Sequence, residues 1–254
     1  MSFTELVTVP AGINPNVSSA KQATMLALLG NPRQSYDQEC REVTDIRLAS
    51  MIVFRSVGRL KVRGLGPAVD SLERVLADIE REEPAIHAVL GHVGMLCARN
   101  VRGSNTSISN HSWGTAIDLT LEGILDRRGD DRVQVGLTRI APIFNDHGWF
   151  WGAGFGTEDA MHFECGDELV RQWHRDGLLA GLAPDSTPDP VLSLGDRGPE
   201  VLELQRKLNE TGAGLVEDGI FGRGTHAAVM AFQARNGLSA DGVVGPMTRE
   251  ALGL

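Results

Sequence analysis

Ser109-Asn-His-Ser-Trp-Gly-Thr-Ala-Ile-Asp118 is the stretch of this sequence that decides its fold. It places His111 seven residues before an aspartate, with a glycine between them that relieves crowding of the backbone. A second motif, Asp-Ala-Met-His-Phe-Glu at residues 159–164, supplies another imidazole and two carboxylates. Catalytic zinc sites use three protein ligands of these types and keep one position for water. The two motifs together therefore predict a hydrolytic metal centre.

The groups of the two motifs have distinct predicted roles. We expect His111, Asp118 and His162 to bind the metal ion, which would lower the pKa of a bound water towards about 7. Mixed nitrogen and oxygen ligation with an open position favours Zn2+. Asp159 is the predicted general base, and its neighbour Glu158 is the rival for that role.

Five more side chains are candidates for the surroundings of the metal. Arg99 or Arg102 can stabilise an oxyanion or bind a substrate carboxylate, and the choice between them stays open. Ser109 can donate a hydrogen bond to the same carboxylate, and Trp113 is either a wall of the cleft or a core residue. Glu164 shares a predicted strand face with the second histidine, so it either accepts a histidine N–H or contacts the substrate.

Composition and charge limit the class of protein. The chain has 254 residues, enough for a medium domain and a small one, and a net charge of -9. Because phosphate binding needs a basic surface, this charge argues against nucleic acid as a partner. No apolar run is long enough to span a bilayer, so membrane insertion is not expected. The three cysteines, Cys40, Cys97 and Cys165, are far apart and odd in number, which favours buried thiols over a disulfide scaffold.

Hydrophobic periodicity predicts the main elements of the first 180 residues. Helices are predicted over 67–83, 138–147 and 168–175, and strands over 116–121 and 161–164. The second of these helices would place Pro142 in its first turn, where proline is tolerated. The apolar segment 85–97 fits either a strand or a buried helix.

The composition changes over residues 181–191, where three prolines lie in a polar segment. This predicts a semi-rigid linker. After it, the unit Asp-Gly-apolar-apolar-Gly occurs at 218–222 and again at 241–245, each time before a predicted helix. The sequence therefore predicts a catalytic domain over 1–180, a linker over 181–191 and a small three-helix domain over 192–254.

The pattern Ser-x-His-x-x-Gly-x-Ala-x-Asp followed by Asp-x-x-His resembles the signature of the zinc DD-peptidase family. This family comprises D-Ala-D-Ala carboxypeptidases, D-Ala-D-Ala dipeptidases and phage L-alanyl-D-glutamate endopeptidases. The resemblance implies that His111, Asp118 and His162 bind zinc. It also implies that Asp159 is the catalytic acid/base and that an upstream arginine binds a substrate carbonyl or carboxylate. The expected fold is α+β, with a small antiparallel sheet that carries the ligands.

The final 63 residues, 192–254, resemble the three-helix peptidoglycan-binding module that is often attached to cell-wall hydrolases. Both resemblances imply bacterial peptidoglycan as the partner, and we expect a monomer. The favoured function is a zinc peptidase of the phage endolysin type that cleaves the L-Ala-D-Glu bond of stem peptides. The alternatives are a D-Ala-D-Ala carboxypeptidase, a secreted antibacterial effector and, from another class, a non-catalytic wall-binding protein.

The N-terminus does not have the basic region and apolar core of a signal peptide. We therefore expect synthesis in the cytoplasm. The protein would then act on the cell wall or in the periplasm after release through holin-type lesions or through a secretion machine.

Overall fold

The computed structural model describes residues 2–182 and 191–254, and the chain forms two compact units, each with its own hydrophobic core. The first unit extends to residue 184 and the second begins at residue 185, within the segment 181–191 that the sequence predicts to be a linker. Residues 183–190 of that segment lie outside the described residues. Among the described residues, no helix combines the length and hydropathy needed to cross a bilayer.

The first unit combines helices with short antiparallel strands, which confirms the predicted α+β class. Its helices are α1 (Gln22–Leu29), α2 (Ile46–Met51), α3 (Gly66–Glu82), α4 (Pro84–His87), α5 (Val135–Asp146) and α6 (Asp167–Arg175). Its strands are β1 (Leu6–Thr8), β2 (Ile52–Val57), β3 (Leu60–Leu65), β4 (Leu90–Gly94), β5 (Ala116–Leu121), β6 (Ile124–Leu125), β7 (Arg132–Gln134), β8 (Trp149–Trp151) and β9 (His162–Cys165).

A five-stranded antiparallel sheet positions the predicted metal ligands. Its strands follow the order β4-β5-β9-β8, with β6 paired to β5. In this register Asp118 of β5 pairs directly with His162 of β9. The expectation that a small antiparallel sheet carries ligands is therefore met by two adjacent strands. The remaining strands form two separate pairs, β1 with β7 and β2 with β3.

The structure corrects the prediction for one segment and decides between two alternatives for another. Helix α5 begins at Val135, so Pro142 lies in its interior, and the prediction of a first-turn proline is wrong. A proline there removes one helical hydrogen bond, but burial of Leu137 and Phe144 in the core offsets that loss. Segment 85–97, which periodicity left open, contains most of the short helix α4 and then strand β4.

Cys40 and Cys97 form a disulfide with their Cα atoms 5.0 Å apart, whereas Cys165 is a buried free thiol. The prediction of three free thiols is therefore wrong for two of them. The next residues along each segment, Arg41 and Ala98, form an isolated antiparallel bridge that brings the cysteines together. A pairing of this kind depends on tertiary structure, so the spacing of 57 residues gave no signal for it.

In the part that the structure describes, the second unit contains three helices, α7 (Pro199–Glu210), α8 (Arg223–Arg235) and α9 (Pro246–Leu252), as predicted. Its two Asp-Gly turns are each held by a buried glutamine of the preceding helix. Gln205 donates to the carboxylate of Asp218 (2.8 Å) and accepts a hydrogen bond from the Gly219 N–H (2.8 Å). The second turn repeats these contacts with Gln233, Asp241 and Gly242. The sequence repeat thus reflects one hydrogen-bonding device used twice.

The glycine of the first motif is required by close backbone packing. Gly114 has a φ of 68°, and its carbonyl accepts a hydrogen bond from the Leu65 N–H (3.0 Å). A Cβ at this position would lie 2.8 Å from that nitrogen and 2.9 Å from the Cα of Gly64. A side chain at this position is therefore unfavourable for two reasons. The positive φ strains a residue with a Cβ, and the Cβ would collide with the backbone of β3.

Gly114→Ala is predicted to destabilise the first unit by more than backbone strain alone. Gly123→Ala is the matched control, because Gly123 has a φ of 78° and a Cβ there meets no described atom within 4 Å. We expect about 1–2 kcal/mol for the control and a clearly larger loss at Gly114. All four tryptophans lie in the first unit, so urea unfolding of the whole chain followed by their fluorescence measures this difference. Equal losses would show that the packing contact is unimportant.

Candidate metal centre

The three predicted ligands converge on one point. His111 lies in a 3-10 helix at Asn110–Trp113, while Asp118 and His162 face each other across the sheet. His111 Nε2 is 3.1 Å from Asp118 Oδ1 and 3.2 Å from His162 Nδ1. His162 Nδ1 is in turn 3.1 Å from Asp118 Oδ1. The three donor atoms form a nearly equilateral triangle.

The outer nitrogen of each imidazole fixes which nitrogen faces the centre. His111 Nδ1 lies 3.1 Å from the Met95 carbonyl oxygen, to which it can only donate a proton. His162 Nε2 likewise donates to Glu164 Oε2, at 2.9 Å. The two inner nitrogens therefore present lone pairs towards each other and towards Asp118. Such a convergence of electron-rich atoms is stable only around a cation or a shared proton.

The donor set fits zinc in both chemistry and spacing. A tetrahedral zinc ion with bonds of about 2.0–2.1 Å needs donors about 3.3 Å apart. The observed separations of 3.1–3.2 Å are within a few tenths of an ångström of that spacing. The three ligands border a cavity of about 650 Å³ that opens to solvent, so a fourth position is accessible to water and substrate. Two imidazoles and one carboxylate with an open position suit zinc better than calcium or magnesium, which prefer oxygen ligands.

The electrostatics of the ligands show how strongly they attract positive charge. Burial alone would lower the pKa of His162, but its hydrogen bonds to Asp118 and Glu164 outweigh this and raise that pKa to about 10 in the metal-free protein. Burial would raise the pKa of Asp118, yet the charge and hydrogen bonds of the two histidines lower it strongly. A metal ion has to compete with this proton, so metal affinity falls as the pH is lowered.

Glu164 lies behind His162 rather than in front of the metal. Its side chain is buried, and it also accepts hydrogen bonds from Ser19 Oγ (2.6 Å) and Ala20 N–H (3.2 Å). Burial would raise its pKa, but the hydrogen bond and charge of His162 lower it, so the group remains ionised. Of its two predicted roles, the geometry favours that of a histidine partner over that of a substrate contact.

The predicted base, Asp159, borders the same cavity. Its Oδ2 forms an ion pair with Arg128 Nε at 3.3 Å. Its Oδ1 is buried and has no hydrogen-bond partner among the residues that the structure describes. Burial raises the pKa of this carboxyl group. A carboxylate that borders the cavity, is oriented by an ion pair and has a raised pKa is suited to accept and return a proton.

Glu158, the rival base, has a structural task. Its Oε2 accepts hydrogen bonds from three successive backbone N–H groups, and its Oε1 accepts one from a fourth. These donors are Gly129 (3.0 Å), Asp130 (3.1 Å), Asp131 (3.2 Å) and Ala160 (3.2 Å). Because both oxygens are engaged and the residue is buried, Asp159 is the better candidate.

Three arginines border the cavity, of which the sequence indicated two. Arg99 is half-buried, and its Nη1 donates to the Asn100 carbonyl (3.0 Å), while burial lowers its pKa. Arg102 is exposed at the rim, so the choice between these two residues stays open. Arg128 is the third, and sequence analysis missed it because it lies in a polar turn that matches no motif.

The remaining candidates separate into one cavity residue and one core residue. Ser109 borders the cavity close to the first ligand, and its role as a donor to a substrate carboxylate stays a prediction. Trp113 is fully buried and donates from Nε1 to the Gly30 carbonyl (2.8 Å), so it is a core residue, and the alternative that it walls the cleft and contacts substrate is wrong. An aromatic wall is supplied instead by Phe155, whose ring centroid lies 5.7 Å from that of His162. No spacing in the sequence marked this residue.

Comparison with known families finds a match within each unit. Residues 102–165 match a family described as D-alanyl-D-alanine carboxypeptidase, and residues 197–252 match one described as putative peptidoglycan binding domain. The first segment is thus similar to D-alanyl-D-alanine carboxypeptidases, and the second to peptidoglycan-binding domains. Both segments match the families that the sequence motifs resemble.

Individual relatives share only parts of the chain. The zinc D-Ala-D-Ala carboxypeptidase of Streptomyces albus G is 48% identical over 61 residues, 23% of this chain and 24% of the relative. The N-acetylmuramoyl-L-alanine amidase CwlM of Mycobacterium tuberculosis is 37% identical over 105 residues, 34% of this chain and 26% of the relative. The crystal structure of the Burkholderia AP3 phage endolysin shows 54% identity over 25% of this chain and 24% of its own, with a TM-score of 0.25. The chain thus spans about a quarter of each of these relatives.

Glu164→Gln is predicted to weaken zinc binding without abolishing it. The variant loses the negative charge that holds the N–H of His162, and loss of such a partner typically costs about 10- to 100-fold in metal affinity. Competition with a chromophoric chelator measures the affinity. Glu73→Gln makes the same change on an exposed face of α3 and should bind zinc like the parent protein. Unchanged affinity in Glu164→Gln would remove the assigned role of this carboxylate.

Proposed function

We propose that this protein is a zinc-dependent peptidase that cleaves the peptide stems of bacterial peptidoglycan. The carrying observation is that a ligand triad and an oriented carboxylate, Asp159, share one open cavity. Family resemblance of the second unit to peptidoglycan-binding domains supports the same polymer as the partner. The expected monomeric state stays a prediction.

The residues of the cavity account for each step of peptide hydrolysis. When bound, zinc acts as a Lewis acid that lowers the barrier to attack of water on the peptide carbonyl. Asp159 accepts the proton of the attacking water at the part of its carboxylate that borders the cavity and then delivers that proton to the leaving amine. Arg99 and Arg102 border the cavity, where a guanidinium stabilises a developing oxyanion or binds a substrate carboxylate.

Two scissile bonds are consistent with this cavity. Cleavage of the L-Ala-D-Glu bond by an endolysin is our first proposal, because the cavity is open and large enough for an internal stretch of peptide. D-Ala-D-Ala carboxypeptidase activity is the second, and the family description of residues 102–165 favours it. In both, the substrate carries a carboxylate near the bond that is cleaved, which agrees with an arginine-lined cavity.

A wall-binding protein without catalysis is a weaker explanation of this site. A purely structural zinc site is closed by four protein ligands, whereas this one has three and opens into a cavity. Nor does it need a buried carboxylate oxygen that has no partner among the described residues, as Asp159 has.

The two units suggest how the protein would act on an insoluble polymer. A wall-binding unit raises the local concentration of substrate around the catalytic unit without any new contact at the active site. We propose action on the cell wall after release through membrane lesions, as for an endolysin, or after delivery as an antibacterial effector.

Asp159→Asn is predicted to lower kcat by about 100- to 10,000-fold, because the amide cannot accept the proton. Zinc content and co-sedimentation with purified cell walls should match those of the parent protein. Asp176→Asn, an equivalent change at the exposed end of α6, is the control and should keep full activity.

Mass spectrometry of muropeptides digested by the parent protein detects hydrolysis and identifies the peptide bond that is cleaved. Loss of one terminal alanine indicates a carboxypeptidase, and release of longer peptide fragments indicates an endopeptidase. Parent-like hydrolysis by Asp159→Asn would contradict the assignment of the base, and an inactive parent protein would contradict the proposed function.

A further inference from the structure

We propose that Arg128 is a positioning residue that holds the carboxylate of Asp159 in the orientation in which it transfers protons. This inference rests on the proposed function, in which Asp159 is the base. It assigns a task to an arginine that no motif marks and that is not one of the three predicted zinc ligands.

The two oxygens of the Asp159 carboxylate have different surroundings. Arg128 Nε lies 3.3 Å from Asp159 Oδ2, and the guanidinium is about one-third exposed while the carboxylate is about one-quarter exposed. The other oxygen, Oδ1, is buried without a hydrogen-bond partner among the described residues. Because water does not reach Oδ1, Oδ2 is the oxygen that can exchange a proton with the cavity, and the ion pair with Arg128 fixes its position. Catalytic groups gain much of their effect from such fixed geometry.

The backbone around the arginine is built to hold this contact. Arg128 lies in the turn between β6 and β7, and the next three residues, 129–131, donate their N–H groups to the carboxylate of Glu158. The Gly129 N–H also approaches the Glu158 carbonyl, at 2.9 Å. Glu158 directly precedes Asp159 in the chain. One buried carboxylate therefore ties the turn that carries the arginine to the turn that carries the base.

The ion pair itself is too exposed to contribute much to stability. Its removal should therefore leave the fold intact and act on the chemistry. The alternative role for a guanidinium in this cavity is contact with the substrate, as for Arg99 and Arg102. The two roles predict effects on different kinetic constants. Loss of a binding contact raises KM, whereas loss of a positioning contact lowers kcat.

Arg128→Ala in the zinc-loaded full chain, assayed on soluble muropeptides, tests this directly. We expect kcat to fall about 10- to 100-fold, with KM unchanged within about twofold and with zinc content unchanged. Arg128→Lys should recover part of the lost rate, because it restores a cation at the same place. Arg127→Ala is the matched control, since it removes the neighbouring exposed guanidinium of the same turn and should behave like the parent protein.

A double-mutant cycle shows whether the arginine acts through the base. In the Asp159→Asn background, Arg128→Ala should lower the residual rate by less than about twofold. An equal fall in both backgrounds would overturn the proposal, and so would a raised KM with an unchanged kcat in Arg128→Ala.

A readout that is independent of catalysis separates this inference from the proposed function. The carboxyl carbon-13 resonance of Asp159, identified by its loss in Asp159→Asn, should move in zinc-loaded Arg128→Ala and stay in place in Arg127→Ala. An unmoved resonance in Arg128→Ala would overturn the inference. An inactive parent protein with a displaced resonance would instead overturn the proposed function and leave the positioning contact supported.

Discussion

The antiparallel pairing of Asp118 with His162 is the constraint on which the rest of the site depends. It places a carboxylate and an imidazole on adjacent strands with their donor atoms 3.1 Å apart. The remaining ligand, His111, comes from a short turn that Gly114 allows to pack against the backbone of β3. A shift of one residue in the register would turn a ligand to the opposite face of the sheet. Sheet register and metal chemistry are therefore inseparable in this fold.

Around this pairing, buried acidic side chains hold a metal ligand and the turn next to the proposed base in place. Glu164 fixes the ring of His162, and Glu158 fixes the turn beside the base. Each accepts several hydrogen bonds, so neither is a buried charge without partners. Asp159 differs from both in keeping one oxygen without a partner among the described residues. This difference in hydrogen bonding, rather than position in the sequence, distinguishes structural carboxylates from the catalytic candidate.

The sequence predicted what depends on local spacing and missed what depends on tertiary contacts. The ligand triad was predictable because its motifs carry the required residue types at characteristic intervals. The partner role of Glu164 was one of two predictions, since residues two apart on a strand share a face. The contact between Arg128 and Asp159 was not predictable, because two distant turns create it. The sequence left Trp113 open between cleft and core, because its burial is visible only once the core is assembled.

The central claim is that three side chains and an open position form a zinc site. X-ray absorption at the zinc edge of the purified protein is the most direct test. The account predicts one zinc ion per chain, with only nitrogen and oxygen neighbours at about 2.0–2.1 Å and multiple scattering from two imidazoles. A sulfur neighbour at about 2.3 Å would indicate ligation by a cysteine, and that result, or a protein that retains no zinc, would contradict the account.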